Sequence, residues 1–108
     1  MAAKKPGQAV RGSDSGRPIM VLLDLLGQRW TLRIIWELRD ERLTFRQLQD
    51  RCDQVSPTLL NNRLKELRTM KILDHDEGGY GFTKLGKDLG NQLIELSTWS
   101  NKWAKALD

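Results

Sequence analysis

The chain has 108 residues, one cysteine, one histidine and a formal net charge of +4. This length allows one domain with a modest core, and a cofactor-sized cleft as well would be hard to accommodate. A single cysteine excludes an intrachain disulfide framework and is typical of the reducing cytoplasm, where we expect the protein to work. No nucleophile paired with a base, no metal-ligand spacing and no phosphate-binding loop are present, so the sequence predicts neither an enzyme nor a bound metal or cofactor. No run approaches the ~18 apolar residues that a membrane span needs.

Residues 1–17 are predicted to form a disordered basic arm ahead of a single folded domain at residues 18–108. The arm has no apolar periodicity and holds four basic side chains against one acidic side chain. It lacks the apolar segment of a signal peptide. Two interpretations are open: a solubilising tail, or an arm that reaches a minor groove or follows phosphates.

The folded region is predicted to begin with two helices. Residues Pro18 to Leu26 are apolar on almost every side, and we therefore expect burial on almost every side, partly at a subunit interface. Gly27 is expected at the C′ position that follows this helix. A second helix is predicted from about Trp30 to Arg39, with a buried stripe of Trp30, Ile34 and Leu38. Trp36 lies off that stripe, either against the C-terminal helix or exposed.

The next segment has the pattern of a short capped helix followed by a tight turn. Thr44 and Gln47 have the spacing of a capping box, which opens a helix from about Phe45 to Arg51. Residues 52–55 then form a turn in which Asp53 takes the place of the usual glycine. Two short helices joined in this way predict a helix-turn-helix.

The second helix of this pair is predicted to have one buried face and one polar face. Ser56 is a good N-cap and Pro57 falls at the first helical position. A leucine stripe faces the core, namely Leu60, Leu64 and Leu67. The opposite face carries amide, hydroxyl and cationic groups without a carboxylate, namely Thr58, Asn61, Asn62, Lys65 and Arg68. Such a face suits a phosphate-lined major groove.

Positive charge is concentrated in the helix-turn-helix. The segment from Arg42 to Lys71 contains seven basic and three acidic residues, a net charge of +4. Residues 18–108 as a whole hold 14 basic and 13 acidic side chains and are nearly neutral. A focused patch of this kind is typical of a surface that binds duplex nucleic acid.

A short β-hairpin is predicted after the polar helix. Residues 72–76 form one strand, Glu77-Gly78-Gly79 supplies the positive φ angles of the turn, and Tyr80 and Phe82 return on one side. Leu43 and Thr44 are expected to add a strand of one or two residues. Because the hairpin is short and acidic, we expect it to act mainly as a structural prop. The predicted fold is thus mainly α with a small β-hairpin wing, a winged helix-turn-helix.

The C-terminal segment is predicted to form one long amphipathic helix, which Thr83 caps and which Gly86 and Gly90 weaken near the start. Its apolar positions are Leu85, Leu89, Leu93, Leu96, Trp99, Trp103 and Leu107. The tryptophans either cover the chain's own core or are buried in a homodimer, and the length of the stripe favours the homodimer. The expected dimer interface comprises Ile19, Leu22, Leu23, Leu26, Leu96, Trp99, Trp103 and Leu107.

Four segments together resemble the HxlR-type winged-helix transcription regulators, which are related to the MarR group. They are Leu22 to Leu38, Leu43 to Gln49, Val55 to Leu73 and Phe82 to Leu89. The resemblance covers about residues 17–103. It implies a homodimeric regulator of a pseudo-palindromic operator, in which the first and last helices form the dimer and the equivalent of residues 56–70 enters the major groove.

Two departures from the family pattern affect what is expected. Many members have a cysteine before the proline of the first helix, and some use it to sense oxidants or electrophiles. Arg17 occupies that position here, so this route is closed, and Cys52 does not inherit the role. The wing is also shorter and more acidic than is usual in the family, which argues against its insertion into a minor groove.

The sequence therefore predicts a sequence-specific DNA-binding regulator that acts as a homodimer. Base contacts are expected from Thr58, Asn61 and Asn62. Phosphate contacts are expected from Arg46, Ser56, Lys65, Arg68 and the start of the helix at Pro57. Arg63 is expected to form a structural ion pair with Glu66 or Asp24. The alternative is a different class of function, a winged-helix module that binds other proteins and has no specific DNA binding.

Overall fold

The computed structural model describes residues 5–9 and 16–108. Its elements are α1 (Pro18–Leu26), α2 (Thr31–Glu37), α3 (Phe45–Arg51), α4 (Pro57–Thr69), β1 (Leu73–Asp76), β2 (Gly79–Phe82) and α5 (Lys84–Ala106). The predicted fold class, mainly helical with one antiparallel hairpin and a long C-terminal helix, is confirmed. The predicted basic arm falls largely on residues 1–4 and 10–15, which lie outside the described residues, so its disorder stays a prediction.

A single apolar cluster joins the helices and the hairpin. It runs from Leu25 on α1 to Leu73 on β1 and includes the leucine stripe of α4. Ile34 and Ile35 of α2 are completely buried, while Trp30 is only partly buried. The core therefore lies between α2, α3 and α4, and the hairpin covers its edge.

Helix α1 is less buried than its composition suggested. Val21 and Leu25 are its buried residues, whereas Ile19 and Leu23 are exposed. Within the single chain α1 has a neighbour only on its inner face, so burial of its outer face at a subunit interface stays a prediction. An apolar outer face is left on the surface.

The turn between α1 and α2 also differs from the prediction. Gly27 is the C-cap residue itself, in a right-handed conformation with φ −78°. The left-handed residue is Trp30, with φ 74°, and it is the N-cap of α2. Helix α2 consequently begins at Thr31 and ends at Glu37, shorter than predicted.

The wing is a two-stranded hairpin with a short third partner. Asp76 pairs with Gly79 across the turn, and Asp76 Oδ1 accepts a hydrogen bond from Gly78 N at 2.7 Å. Of the three predicted turn residues only Gly79 has a positive φ, 110°. The predicted strand at Leu43 is confirmed as a bridge to Tyr80, with N···O distances of 3.0 and 2.8 Å.

The glycines of α5 have a packing role that the sequence did not reveal. A Cβ atom at Gly86 would lie 1.9 Å from the carbonyl oxygen of Ile72, and one at Gly90 would lie 3.0 Å from the ring of Phe82. Thr83 Oγ1 caps the helix by accepting from Gly86 N at 2.9 Å. The absence of side chains thus lets α5 lie directly on Ile72, which precedes β1, and on Phe82 of the hairpin.

The distal half of α5 extends beyond the core. Trp99 and Trp103 are 54% and 52% exposed, and their rings stack at a centroid distance of 6.2 Å. Leu96 and Leu107 on the same stripe are also exposed. The interpretation that these tryptophans cover the chain's own core is therefore wrong.

We expect Gly86→Ala to destabilise the fold by about 2–3 kcal/mol, since its methyl group collides with a backbone carbonyl that cannot turn away. Gly90→Ala is the matched control on the same helix, because the ring of Phe82 can shift and alanine favours the helix by up to ~1 kcal/mol. Denaturant unfolding measures both. Equal stability of the two variants would contradict the close approach of α5 to Ile72.

Candidate nucleic-acid interface

Helix α4 begins and packs as the sequence predicted. Ser56 Oγ accepts a hydrogen bond from Leu59 N at 3.3 Å, and Pro57 occupies the first turn. The stripe of Leu60, Leu64 and Leu67 is 0%, 1% and 0% exposed. Because these three side chains point into the core, the rotation of the helix about its axis is determined.

The polar face of α4 is consequently on the surface. Thr58, Asn62, Lys65 and Arg68 are exposed, and Asn61 is half-buried. Within residues 5–9 and 16–108, none of these side chains takes part in a hydrogen bond or an ion pair. The face therefore keeps its donors, acceptors and charges available for a ligand.

The helix-turn-helix turn relies on two left-handed residues. Asp53 has φ 54°, as expected for a residue in place of glycine, and Gln54 has φ 59°. The chain is held in this conformation by Gln54 N, which donates to Gln49 O at 2.9 Å, and by Gln49 Nε2, which donates to Val55 O at 3.0 Å. One main-chain hydrogen bond and one side-chain amide hydrogen bond, both involving Gln49, thus hold the turn in this conformation.

Arg33 on α2 stabilises the same turn from outside, a role that sequence reasoning missed. Its Nη2 atom donates to the carbonyl of Arg51 at 2.8 Å, and its Nε atom pairs with Glu37 at 2.9 Å. The hydrogen bond with Glu37 is the main cause of its raised pKa. The contact with Arg51 spans 18 residues, and only the i,i+4 spacing to Glu37 was visible in the sequence.

Cys52 lies inside this turn and is completely buried. Burial raises the pKa of its thiol, and the positive charge of Arg33 opposes this only in part. The thiolate is the reactive form of cysteine, so this side chain is suited to packing. The expected structural role of Cys52 is consistent with its position.

The predicted ion pair of Arg63 is confirmed, and Glu66 is the partner. Arg63 Nη1 lies 2.9 Å from Glu66 Oε1, and both side chains are largely buried. Arg63 Nε also donates to the carbonyl of Arg29 at 2.8 Å. This arginine therefore ties α4 to the turn between α1 and α2.

The basic residues of the helix-turn-helix fall into two groups. Arg42, Arg51 and Arg63 pair with carboxylates of the chain itself. The second group comprises Arg46, Lys65, Arg68 and Lys71, whose side chains are exposed and form no ion pair within the part of the chain that the structure describes. The positive charge that is free to meet phosphates is thus located on α4, its C-terminal end and the start of α3.

The acidic residues of the wing are largely neutralised. Arg42 Nη2 lies 2.6 Å from Asp74 Oδ1, and Arg42 Nε lies 3.2 Å from Asp76 Oδ2. Arg42 also donates to the carbonyl of Gly79 at 3.1 Å. One guanidinium therefore bridges two carboxylates and locks the wing to the loop before α3.

The described residues contain no cluster of three or more potential metal ligands. Across the same residues, none of the helices is both long and apolar enough to pass through a membrane.

Comparison with known proteins identifies this arrangement. The model of the HxlR-like helix-turn-helix family matches residues 25–108. The chain belongs to the HxlR-like helix-turn-helix family. This HxlR-type chain is 28% identical over 88 residues to YvaP of Bacillus subtilis, described as an uncharacterized HTH-type transcriptional regulator. That match covers 75% of this chain and 82% of YvaP.

Two solved structures have the same fold as this HxlR-type chain. Quinone-bound YodB from B. subtilis has a TM-score of 0.70 and 28% identity, covering 78% of this chain and 96% of YodB. A possible HxlR family transcriptional factor from Thermoplasma volcanium has a TM-score of 0.67 and 26% identity, covering 78% of this chain and 82% of that chain. The protein is thus a transcriptional regulator and not an enzyme.

We expect Arg63→Ala to lower the free energy of unfolding by about 3 kcal/mol, because the largely buried carboxyl group of Glu66 would lose its ion-pair partner. Arg51→Ala removes the exposed pair with Glu41 and should cost less than ~1 kcal/mol. Thermal or urea unfolding of the two variants gives the comparison. A loss for Arg63→Ala no greater than that for Arg51→Ala would show that this pair does not anchor α4.

Proposed function

We propose that this regulator binds a specific duplex operator through the outer face of α4. The observation that carries the proposal is the combination of a fully buried leucine stripe with an opposite face whose polar groups have no partner among the described residues. Such a face has both the hydrogen-bonding groups that read base edges and the charges that bind phosphates. The family of the chain supports the same role.

The proposed roles follow from the chemistry and position of each side chain. Thr58, Asn61 and Asn62 lie in the first two turns of α4, the part of a recognition helix that contacts bases. Asparagine can make paired hydrogen bonds to adenine, and threonine can contact a thymine methyl group. Phosphates are bound by Lys65 and Arg68 on the same face, and by Arg46, Ser56 and the backbone amides that follow Pro57.

We also propose that the protein binds its operator as a homodimer through α1 and α5. Ile19, Leu23, Leu96, Trp99, Trp103 and Leu107 are exposed in the single chain, and Leu22 and Leu26 are half-buried. Aromatic side chains of this size are costly to leave in water, and a second copy offers the same apolar surface. A two-fold dimer would present two α4 helices to half-sites of a pseudo-palindrome.

Two substitutions on α4 separate base reading from phosphate binding. Asn61→Ala should weaken operator binding by ~1–3 kcal/mol and relax the preference at one base pair. Arg68→Ala should weaken all duplexes about equally and reduce the slope of log K against log salt by ~0.9 per bound phosphate. Gel shifts and fluorescence anisotropy with operator and random duplexes measure both effects.

The matched controls are Asn91→Ala and Lys87→Ala, an exposed asparagine and an exposed basic residue on α5. They should leave affinity and salt dependence unchanged. If Asn61→Ala behaved like Asn91→Ala, the proposed reading face would be in the wrong register. A wild-type chain that bound no duplex even at low salt would favour the protein-interaction module.

The dimer proposal predicts a loss of association when the tryptophans are removed. Replacing Trp99 and Trp103 by Ser should weaken dimerisation at least about a hundredfold, since buried aromatic side chains dominate interface energies. Ile94→Ser is the control, because Ile94 is exposed on the opposite side of α5. Sedimentation analysis at several concentrations gives the dissociation constants. A monomeric wild-type protein, or a tryptophan variant that remained dimeric, would contradict this interface.

A further inference from the structure

A groove lies between the C-terminal half of α4 and the first strand of the wing. It measures about 560 Å³ and is lined by Lys65, Arg68, Thr69, Leu73, Asp74 and His75. Two of its lining residues are the cations already assigned to phosphate binding. The wing contributes His75, the only histidine of the chain.

The pleat of β1 separates the charges of the wing onto two faces. Asp74 and Asp76 alternate with His75, so their carboxylates lie on the face where both pair with Arg42. His75 shares the opposite face with Leu73, whose side chain enters the core beneath α4. The ring of His75 packs against Tyr80 on the paired strand, with a centroid distance of 4.5 Å. This contact limits the directions in which the imidazole can point.

Positive charge predominates around the groove. Helix α4 contributes Lys65 and Arg68, which have no ion pair within the described residues. On the wing side, Asp74 lies at the groove edge and pairs with Arg42 at 2.6 Å, and the ring of Tyr80 packs against His75. Glu77 at the hairpin tip is exposed and has no ion-pair partner in the described part of the chain. The groove is thus cationic along α4 and nearly neutral along β1.

We propose that this groove holds a backbone phosphate of the bound duplex, between Lys65 and Arg68 on one side and a protonated His75 on the other. The proposal rests on the proposed function and adds a contact that the acidic wing did not suggest. Phosphate oxygens accept charge-assisted hydrogen bonds from ammonium, guanidinium and imidazolium groups alike. Because phosphate favours the imidazolium form, the protein takes up a proton when it binds DNA.

This contact makes DNA affinity depend on pH in a defined direction. A histidine stabilised in its charged form contributes fully at low pH, and the contribution is lost as pH rises. Histidine is the side chain type whose charge can change between pH 5 and 8, so measurements at pH 5.5 and 7.5 test for this contact. Burial raises the pKa of the Cys52 thiol and keeps that group out of this range.

The test is the dissociation constant of the full chain for one fixed duplex at pH 5.5 and 7.5, over a series of salt concentrations. We expect the wild-type affinity to rise about three- to tenfold per protomer on going to pH 5.5. The slope of log K against log salt should steepen as well, because the imidazolium adds one positive charge at the DNA backbone of each half-site. His75→Asn should show neither change, and His75→Lys should bind tightly at both pH values.

Glu77→Gln is the matched control on the same wing. It removes one negative charge without adding a group that titrates in this range, so its affinity should rise by the same factor at both pH values. Thermal unfolding at each pH verifies that all variants are folded. If His75→Asn kept the pH dependence of the wild type, or if the salt slope did not change with pH, the groove would not hold the phosphate. Failure to bind any duplex at either pH would instead overturn the proposed function.

Discussion

The burial of three leucines on α4 determines which side chains of this helix face solvent. Leu60, Leu64 and Leu67 are at most 1% exposed, and each stabilises the fold by roughly 2 kcal/mol through the area it removes from water. Turning the helix by one residue would move the stripe by about 100° and bring charged or amide groups towards the core. The buried leucines therefore determine which polar side chains of α4 face solvent.

The basic side chains of this domain fall into two sets. One set forms ion pairs that stabilise the fold, and the other is available to bind a ligand. Arg33, Arg42 and Arg63 each bond to a carboxylate and also to a carbonyl oxygen of another segment. They connect the turn of the helix-turn-helix, the wing and α4 to the body of the domain. Lys65 and Arg68 have no such partners among the described residues, which explains how a nearly neutral domain can present a cationic surface.

Local features of the fold could be predicted from the sequence, whereas features set by distant contacts could not. The capping box at Thr44, the N-cap at Ser56 and the stripe of α4 depend on residues within one or two turns of each other, and all three are confirmed. The left-handed Trp30 and the contact of Arg33 with Arg51 depend on tertiary packing and have no local signal. The glycines of α5 likewise looked like weak points because the carbonyl of Ile72 that approaches Gly86 is distant in sequence.

Selection of bound duplexes from a random pool by this 108-residue chain tests most directly whether α4 reads bases. If the outer face of α4 reads bases in a two-fold dimer, the selected duplexes will share two inverted half-sites whose centres lie about one helical turn apart, ~34–36 Å. Selected pools that show no enriched half-site, although the protein retains duplexes at low salt, would mean that this face binds only the backbone. That result would contradict the assignment of α4 as the helix that determines specificity.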